Sequence, residues 1–163
     1  MIQQSGNTYY VNIPKVLEKA REHFNCNSIK GVYLDNQRDT GSAGFYWESR
    51  YILGDYMISN DYIETSSSAI TLALFEDSGL YKVNYYSGGL FKYGKNKGCD
   101  FFNNKYIVNG QPLSDEFCVE PSVPKCTSSI TMKGICYNVK YNSGVTPSNY
   151  RYFTNRNIGG FEC

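Results

Sequence analysis

The stretch IPKVLEKAREHFNC places Ile13, Val16, Leu17, Ala20 and Phe24 three or four positions apart, the spacing of one apolar stripe on an amphipathic helix. Lys15, Glu18, Lys19, Arg21 and Glu22 cover the other side, and Pro14 suits a first turn, where its missing N–H is not needed. A second helix is predicted in TSSSAITLALFEDSGLY, with hydroxyls at 66–68 to cap its amino end and Ser78 and Gly79 to stop it. Its faces are mostly apolar, which predicts burial. Between the two, GSAGFYWESRYILG reads as a small-residue loop running into a short helix over 45–53. YKVNYY alternates, which predicts a strand.

Beyond Gly94 the chain becomes rich in Asn, Gly, Pro and Cys, with short strands predicted at KYIVNG, SSITMKGICYNV and RYFT. The change places a boundary within 94–104. The expected fold class is α+β: a compact helical domain over 1–100, followed over 101–163 by a loop-rich, disulfide-bonded region with short strands. No internal repeat is present.

Composition narrows the function classes. The chain has 163 residues, 41% hydrophobic and 16% aromatic, with a net charge of +1, which is globular rather than disordered. Sixteen tyrosines could stack on bases, but balanced charge offers no electrostatic grip on a phosphate backbone, so no nucleic-acid partner is expected. The longest apolar runs, such as 69–75, fall far short of the roughly 18 residues of a membrane helix, so no transmembrane segment is expected. Six cysteines at irregular spacing include no Cys-x-x-Cys pair, which favours disulfides over a zinc ribbon. Disulfides imply an oxidising compartment, yet MIQQSGNTYYVNIP has no basic start and apolar core of a secretory signal. The two are reconciled if the chain is a fragment of a secreted precursor.

Candidate chemistry is sparse. His23 is the single histidine, placed on the charged flank of the first predicted helix, where a solvated role is expected. Glu48, Asp55, Glu76 and Asp77 are scattered, and no pair of acids has the spacing of a carboxylate hydrolase. GSAG is not a nucleophile elbow, and YSGGL and NIGG are not phosphate loops.

The blocks PKVLEKAREHFNC, GSAG-x-x-W-E-x-R, GDYM, AITLALFEDSGLYKVNY and YGKNKGCDF occur in an order and at spacings that resemble the leishmanolysin family of zinc metallopeptidases. The resemblance is strong over about residues 8–102 and looser beyond. It implies a metzincin whose His-Glu-x-x-His helix lies upstream of this chain, so that the chain covers the central domain and the start of the cysteine-rich C-terminal domain. The family pattern around the third zinc ligand, Gly-Ser/Thr-Ala-Gly-Ser-His-Trp, puts that histidine on Tyr46 here, and the methionine of the turn beneath the metal on Met57. It further implies one disulfide between Cys26 and Cys99 and a second between Cys118 and Cys136. Where the family carries another cysteine this chain has Tyr106, which leaves Cys163 to pair with Cys126 or with a residue beyond the chain.

A catalytic zinc holds three protein ligands and a water. Neutral imidazole offers a lone pair at pH 7, whereas a phenol, with a reference pKa of about 10, must first lose a proton. A bound phenolate would also weaken the metal's pull on its water. The bland reading of Tyr46 is a large aromatic in a cleft wall beside Trp47. The expectation is therefore a secreted or surface leishmanolysin-like piece with no catalytic residues and no cofactor of its own, zinc belonging to the family. It would act as a scaffold or binding module. Two alternatives stand beside it: part of an active zinc metalloendopeptidase whose catalytic helix lies upstream, or a structural or adhesive component of a surface assembly. Partners are expected to be proteins, either the upstream catalytic segment or a surface assembly.

Overall fold

The computed structural model describes residues 2–6, 8–35, 43–59, 65–104 and, farther on, 107–108, 111–114, 124–126, 133–135, 137–140 and 157–160. The chain falls into two compact units, Met1–Phe102 and Asn103–Cys163. Mixed helix and small antiparallel sheet agree with an α+β class.

The first unit opens with a sheet that the sequence reading lacked. β1 (Ile2–Ser5) pairs antiparallel with β2 (Thr8–Val11), and β2 with β3 (Val32–Leu34), in the order β1-β2-β3. The register sets Gln4 opposite Tyr9, Tyr9 opposite Leu34 and Val11 opposite Val32. α1 (Pro14–Phe24) bridges β2 and β3 and buries Val16, Ala20 and Phe24, the predicted stripe. Its N-cap position is Ile13, which offers no capping oxygen; Asp77 supplies one from a distance, its Oδ2 accepting from the Lys15 N–H at 2.9 Å and the Val16 N–H at 3.1 Å. Asn25 ends α1 in the left-handed conformation, φ 54°.

α2 (Ala69–Asp77) begins where Ser68 Oγ accepts from the Thr71 N–H. It buries Ile70, Thr71 and Ala73, but Phe75 is exposed, so the helix is buried on one face rather than all round. No helix forms over 45–53; turns and isolated bridges run there. YKVNYY is likewise not a strand: 81–84 has no regular structure, and a 3-10 helix follows over Tyr85–Leu90. Its Gly88 packs so close to α2 that a Cβ would lie 2.8 Å from the Ala69 nitrogen.

α3 (Gly98–Asn103) brings Phe101 and Phe102 into an aromatic core with Phe24, Tyr33, Tyr51 and Tyr93, ring centroids 4.5 to 6.0 Å apart. The buried Arg50 guanidinium donates to the Phe101 carbonyl at 3.2 Å, near the carbonyl end of α3. A disulfide joins Cys26, just past α1, to Cys99 in α3, 73 positions apart.

Among its described residues the second unit has three two-stranded antiparallel pairings: β4 (Ile107–Val108) with β5 (Gln111–Pro112), β6 (Pro124–Cys126) with β7 (Lys133–Ile135), and β8 (Tyr137–Lys140) with β9 (Asn157–Gly160). Cys126 is exposed and is bonded to no other cysteine among the described residues. Cys118, Cys136, Cys163 and Tyr106, with the pairings expected of them, lie outside the described residues, as does the segment predicted as a strand at RYFT.

Candidate functional site

Tyr46 and Met57 meet on a short ribbon that prolongs the sheet. Leu34, the last residue of β3, forms an antiparallel bridge with Trp47, and Trp47 forms a parallel bridge with Ile58. Around these, the Asp35 N–H donates to the Tyr46 carbonyl at 2.8 Å, the Glu48 N–H to the Tyr33 carbonyl at 3.0 Å and the Trp47 N–H to the Met57 carbonyl at 2.8 Å. Side chains alternate across extended backbone. Leu34, Trp47 and Ile58 therefore point together into the core, at 2%, 0% and 6% exposure. The Tyr46 and Met57 backbones adjoin through the bond from the Trp47 N–H to the Met57 carbonyl, and Tyr46 is 40% exposed, its neighbours Phe45 and Tyr56 more so. At Gly44 the backbone takes φ +82° and its Cα side lies against the Tyr9 ring, which turns the chain sharply into the ribbon.

What fixes this ribbon is a carboxylate that sequence reading passed over as scattered. Asp55 is fully buried. Its Oδ1 accepts from the Met57 N–H at 2.7 Å and the Thr71 hydroxyl at 2.8 Å, and its Oδ2 accepts from the Ser68 N–H at 2.7 Å. Thr71 Oγ1 in turn accepts from the Trp47 indole N–H at 2.8 Å. One negative group thus ties the Met57 turn, the start of α2 and the Trp47 strand into a single rigid body, and it sits at the positive end of α2. Asp35 holds the far side, accepting from the Ser59 hydroxyl at 2.6 Å. The donors to Asp55 are two, thirteen and sixteen residues away in sequence; only the hydroxyl cluster preceding α2 hinted at an acid nearby.

The other candidate residues do not join Tyr46. His23 is not solvated: its ring packs against Phe24 and Phe91 at 4.9 and 5.2 Å, and Nε2 lies 2.8 Å from the Tyr93 carbonyl. A carbonyl only accepts, so Nε2 carries the hydrogen. Burial holds the imidazole below its usual pKa, against the smaller opposing effect of that hydrogen bond. Glu76 accepts from the Tyr85 hydroxyl, and burial together with this bond pushes the Tyr85 phenol upward. Asp77 caps α1. Among the described residues no three His, Cys, Asp or Glu side chains come together as a metal could use them. Among the described residues of this ribbon, Tyr46 offers a phenol, and the Asp35 and Asp55 carboxylates are already engaged by Ser59, Ser68, Thr71 and Met57. These residues by themselves do not fit a catalytic zinc.

The family model described as leishmanolysin matches residues 3–163. The chain belongs to the leishmanolysin family. Among curated relatives, the chain is 32% identical to a leishmanolysin homolog of Crithidia fasciculata, over 92% of this chain and 23% of the relative. It is 29% identical to a leishmanolysin-like peptidase of Drosophila melanogaster, over 88% of this chain and 22% of the relative. It is also 29% identical to the leishmanolysin of Leishmania tropica, over 93% of this chain and 23% of the relative. The leishmanolysin-family chain thus spans less than a quarter of the length of these relatives. Within that span the ribbon holds Trp47, Asp55 and Met57, which belong to two of the five sequence blocks that carried the family likeness.

Proposed function

We propose that this leishmanolysin-family chain forms the wall of a peptide-binding cleft that does not hydrolyse what it binds, in a secreted or surface-located protein whose partners are proteins. The observation carrying this reading is Tyr46. By the family resemblance it falls at the position of the third zinc ligand; its backbone is fixed beside Met57, and its exposed side chain ends in a phenol rather than an imidazole. In a peptidase of this family zinc supplies an activated water. Here the residues of the wall hold shape instead: Asp55 and Thr71 lock Trp47 and the Met57 turn, while Phe45, Tyr46 and Tyr56 offer aromatic surface of the kind that anchors protein contacts. The disulfide supports an oxidising location.

The test uses the native protein and its Tyr46→His variant in a casein-cleavage assay with and without a zinc chelator. Wild type is expected to leave casein intact while retaining peptide binding, and Tyr46→His to lose nothing in stability. Chelator-sensitive cleavage by wild type overturns the reading. That outcome would establish the second reading, an active metalloendopeptidase with catalytic groups supplied elsewhere, which the peptidase names of relatives at about 30% identity favour.

A further inference from the structure

α2 ends at Asp77 and the 3-10 helix begins at Tyr85. Ser78 and Gly79 still bond back to α2, and the Leu80 N–H donates to Ser78 Oγ at 3.3 Å. There the pairing stops: among the described residues no backbone N–H over 81–84 finds an acceptor, and the segment has no regular structure. Leu80, Tyr81, Lys82 and Asn84 are all exposed, and Asn84 is already extended, φ −106° and ψ 101°. Such a segment has few native bonds to break before its main chain pairs with another strand, which is how an endopeptidase holds its substrate. The 3-10 helix that follows has weak hydrogen-bond geometry by its nature, so it can open and lengthen the segment.

Lys82 is the only Lys or Arg between Arg50 and Lys92, and LYKVNYY around it contains neither an acid nor a proline. The neighbouring cations are better protected. Lys92 lies between Phe91 and Tyr93, both buried, and Lys30 between Ile29, whose carbonyl the Arg21 guanidinium holds, and the buried Gly31. The N–H groups of Lys95, Asn96 and Lys97 all donate to carbonyls, those of Lys92, His23 and Gly94. We propose that the Lys82–Val83 bond is a processing site for a trypsin-like endopeptidase. Hydrolysis adds one water across that bond and leaves a carboxylate on Lys82 and an ammonium on Val83.

The means of holding the two pieces together is already built. Of the six cysteines only Cys26 precedes the cut, so its bond to Cys99 is the one disulfide that can join 1–82 to 83–163. Across the same boundary Phe24 packs on Phe101 and Phe102, and Arg50 donates to the Phe101 carbonyl. The Asp55 network lies wholly within 47–71, so the ribbon of Tyr46 and Met57 survives the cut. Cleavage changes the role of the disulfide: in the intact chain it closes a loop, and in the two-chain form it is the link on which assembly depends.

The test is brief digestion of the native full chain with trypsin, read by amino-terminal sequencing and by gels with and without reductant. A new terminus at Val83 is expected about tenfold or more faster than cleavage after Lys95, where hydrogen bonds must open first. Lys82→Gln should abolish that terminus and Lys82→Arg should restore it. The two pieces should run as one species until reductant is added, with Trp47 emission unchanged by the cut. After reduction the urea midpoint of the cut form should depend on protein concentration, which that of the intact chain does not. Protein isolated from its own source should carry Val83 as an amino terminus. Cleavage after Lys30 or Lys95 at least as fast as after Lys82 overturns the proposal, as does a native protein intact at this bond even where trypsin cuts it readily. Pieces that part without reductant would contradict the bridge.

Discussion

Replacing Asp55 with alanine should be among the most damaging single changes in the first unit. The carboxylate is fully buried and accepts three hydrogen bonds of 2.7 to 2.8 Å. Alanine leaves two backbone N–H groups and one hydroxyl without an acceptor, in a space too enclosed for bulk water to enter freely. A hydrogen bond to a charged group contributes about 1.5 to 3 kcal/mol, and a stranded buried donor costs about 1 to 3 kcal/mol. Even with partial relaxation, and with the buried charge itself removed, the loss should be about 3 to 5 kcal/mol. Asn is milder because one oxygen survives, but its NH2 must face a donor, so about 2 to 3 kcal/mol is expected. The chain provides its own reporter. Trp47 is the single tryptophan and is fully buried, with its indole N–H on Thr71. Urea unfolding followed by tryptophan emission therefore reads this network directly. In a double-mutant cycle, Asp55→Asn and Thr71→Val should couple by more than about 0.5 kcal/mol. An Asp55→Ala loss below about 1 kcal/mol, or additive effects in the cycle, would refute the account of how the ribbon is held.

Further outcomes follow from the same geometry. Reducing the Cys26–Cys99 bond, or Cys26→Ser with Cys99→Ser, opens a loop of 73 positions and should cost about 4 kcal/mol in the chain-entropy picture, read as a lower urea midpoint. Asp77→Ala removes the distant cap of α1 and should cost about 1 kcal/mol by the same assay. His23 is held neutral by burial, so the unfolded chain takes up the proton first as pH falls. Its contribution should be complete above about pH 6.5, the ordinary imidazole value, and decline as pH drops through the lower folded value. His23→Gln should flatten the difference between urea midpoints at pH 7.5 and pH 5.5; an undiminished difference would contradict a buried neutral imidazole.

How far the sequence foretold the fold depended on the range of the forces involved. α1 was legible because its stripe lies within one helix, and α2 because Ser68 caps it locally. β1 was not, since its four residues are all exposed and carry no alternation of burial; its partner β2 is itself held by β3 on the far side of α1. The region 45–53 has aromatic spacing that mimics a short helix, but Trp47 is claimed on both sides by Leu34 and Ile58, and that pairing overrides local preference. In YKVNYY the alternation was accidental; the glycines that follow let the backbone approach α2 within a distance that no Cβ would permit. At the site, Tyr46 and Met57 were legible through the family resemblance alone. Their juxtaposition and its anchor, Asp55, became visible only with the long-range hydrogen bonds. His23, read as solvated from its charged neighbours, is covered by Phe91 and Tyr93, which come from 70 positions away.

Zinc content tests the central claim most directly. The native protein, purified without chelator and dialysed against metal-free buffer, should carry only trace zinc by elemental mass spectrometry, because a phenol stands at position 46 and no cluster of ligands accompanies it among the described residues. Stoichiometric zinc that survives dialysis, and that is lost in Tyr46→Phe, would contradict the account.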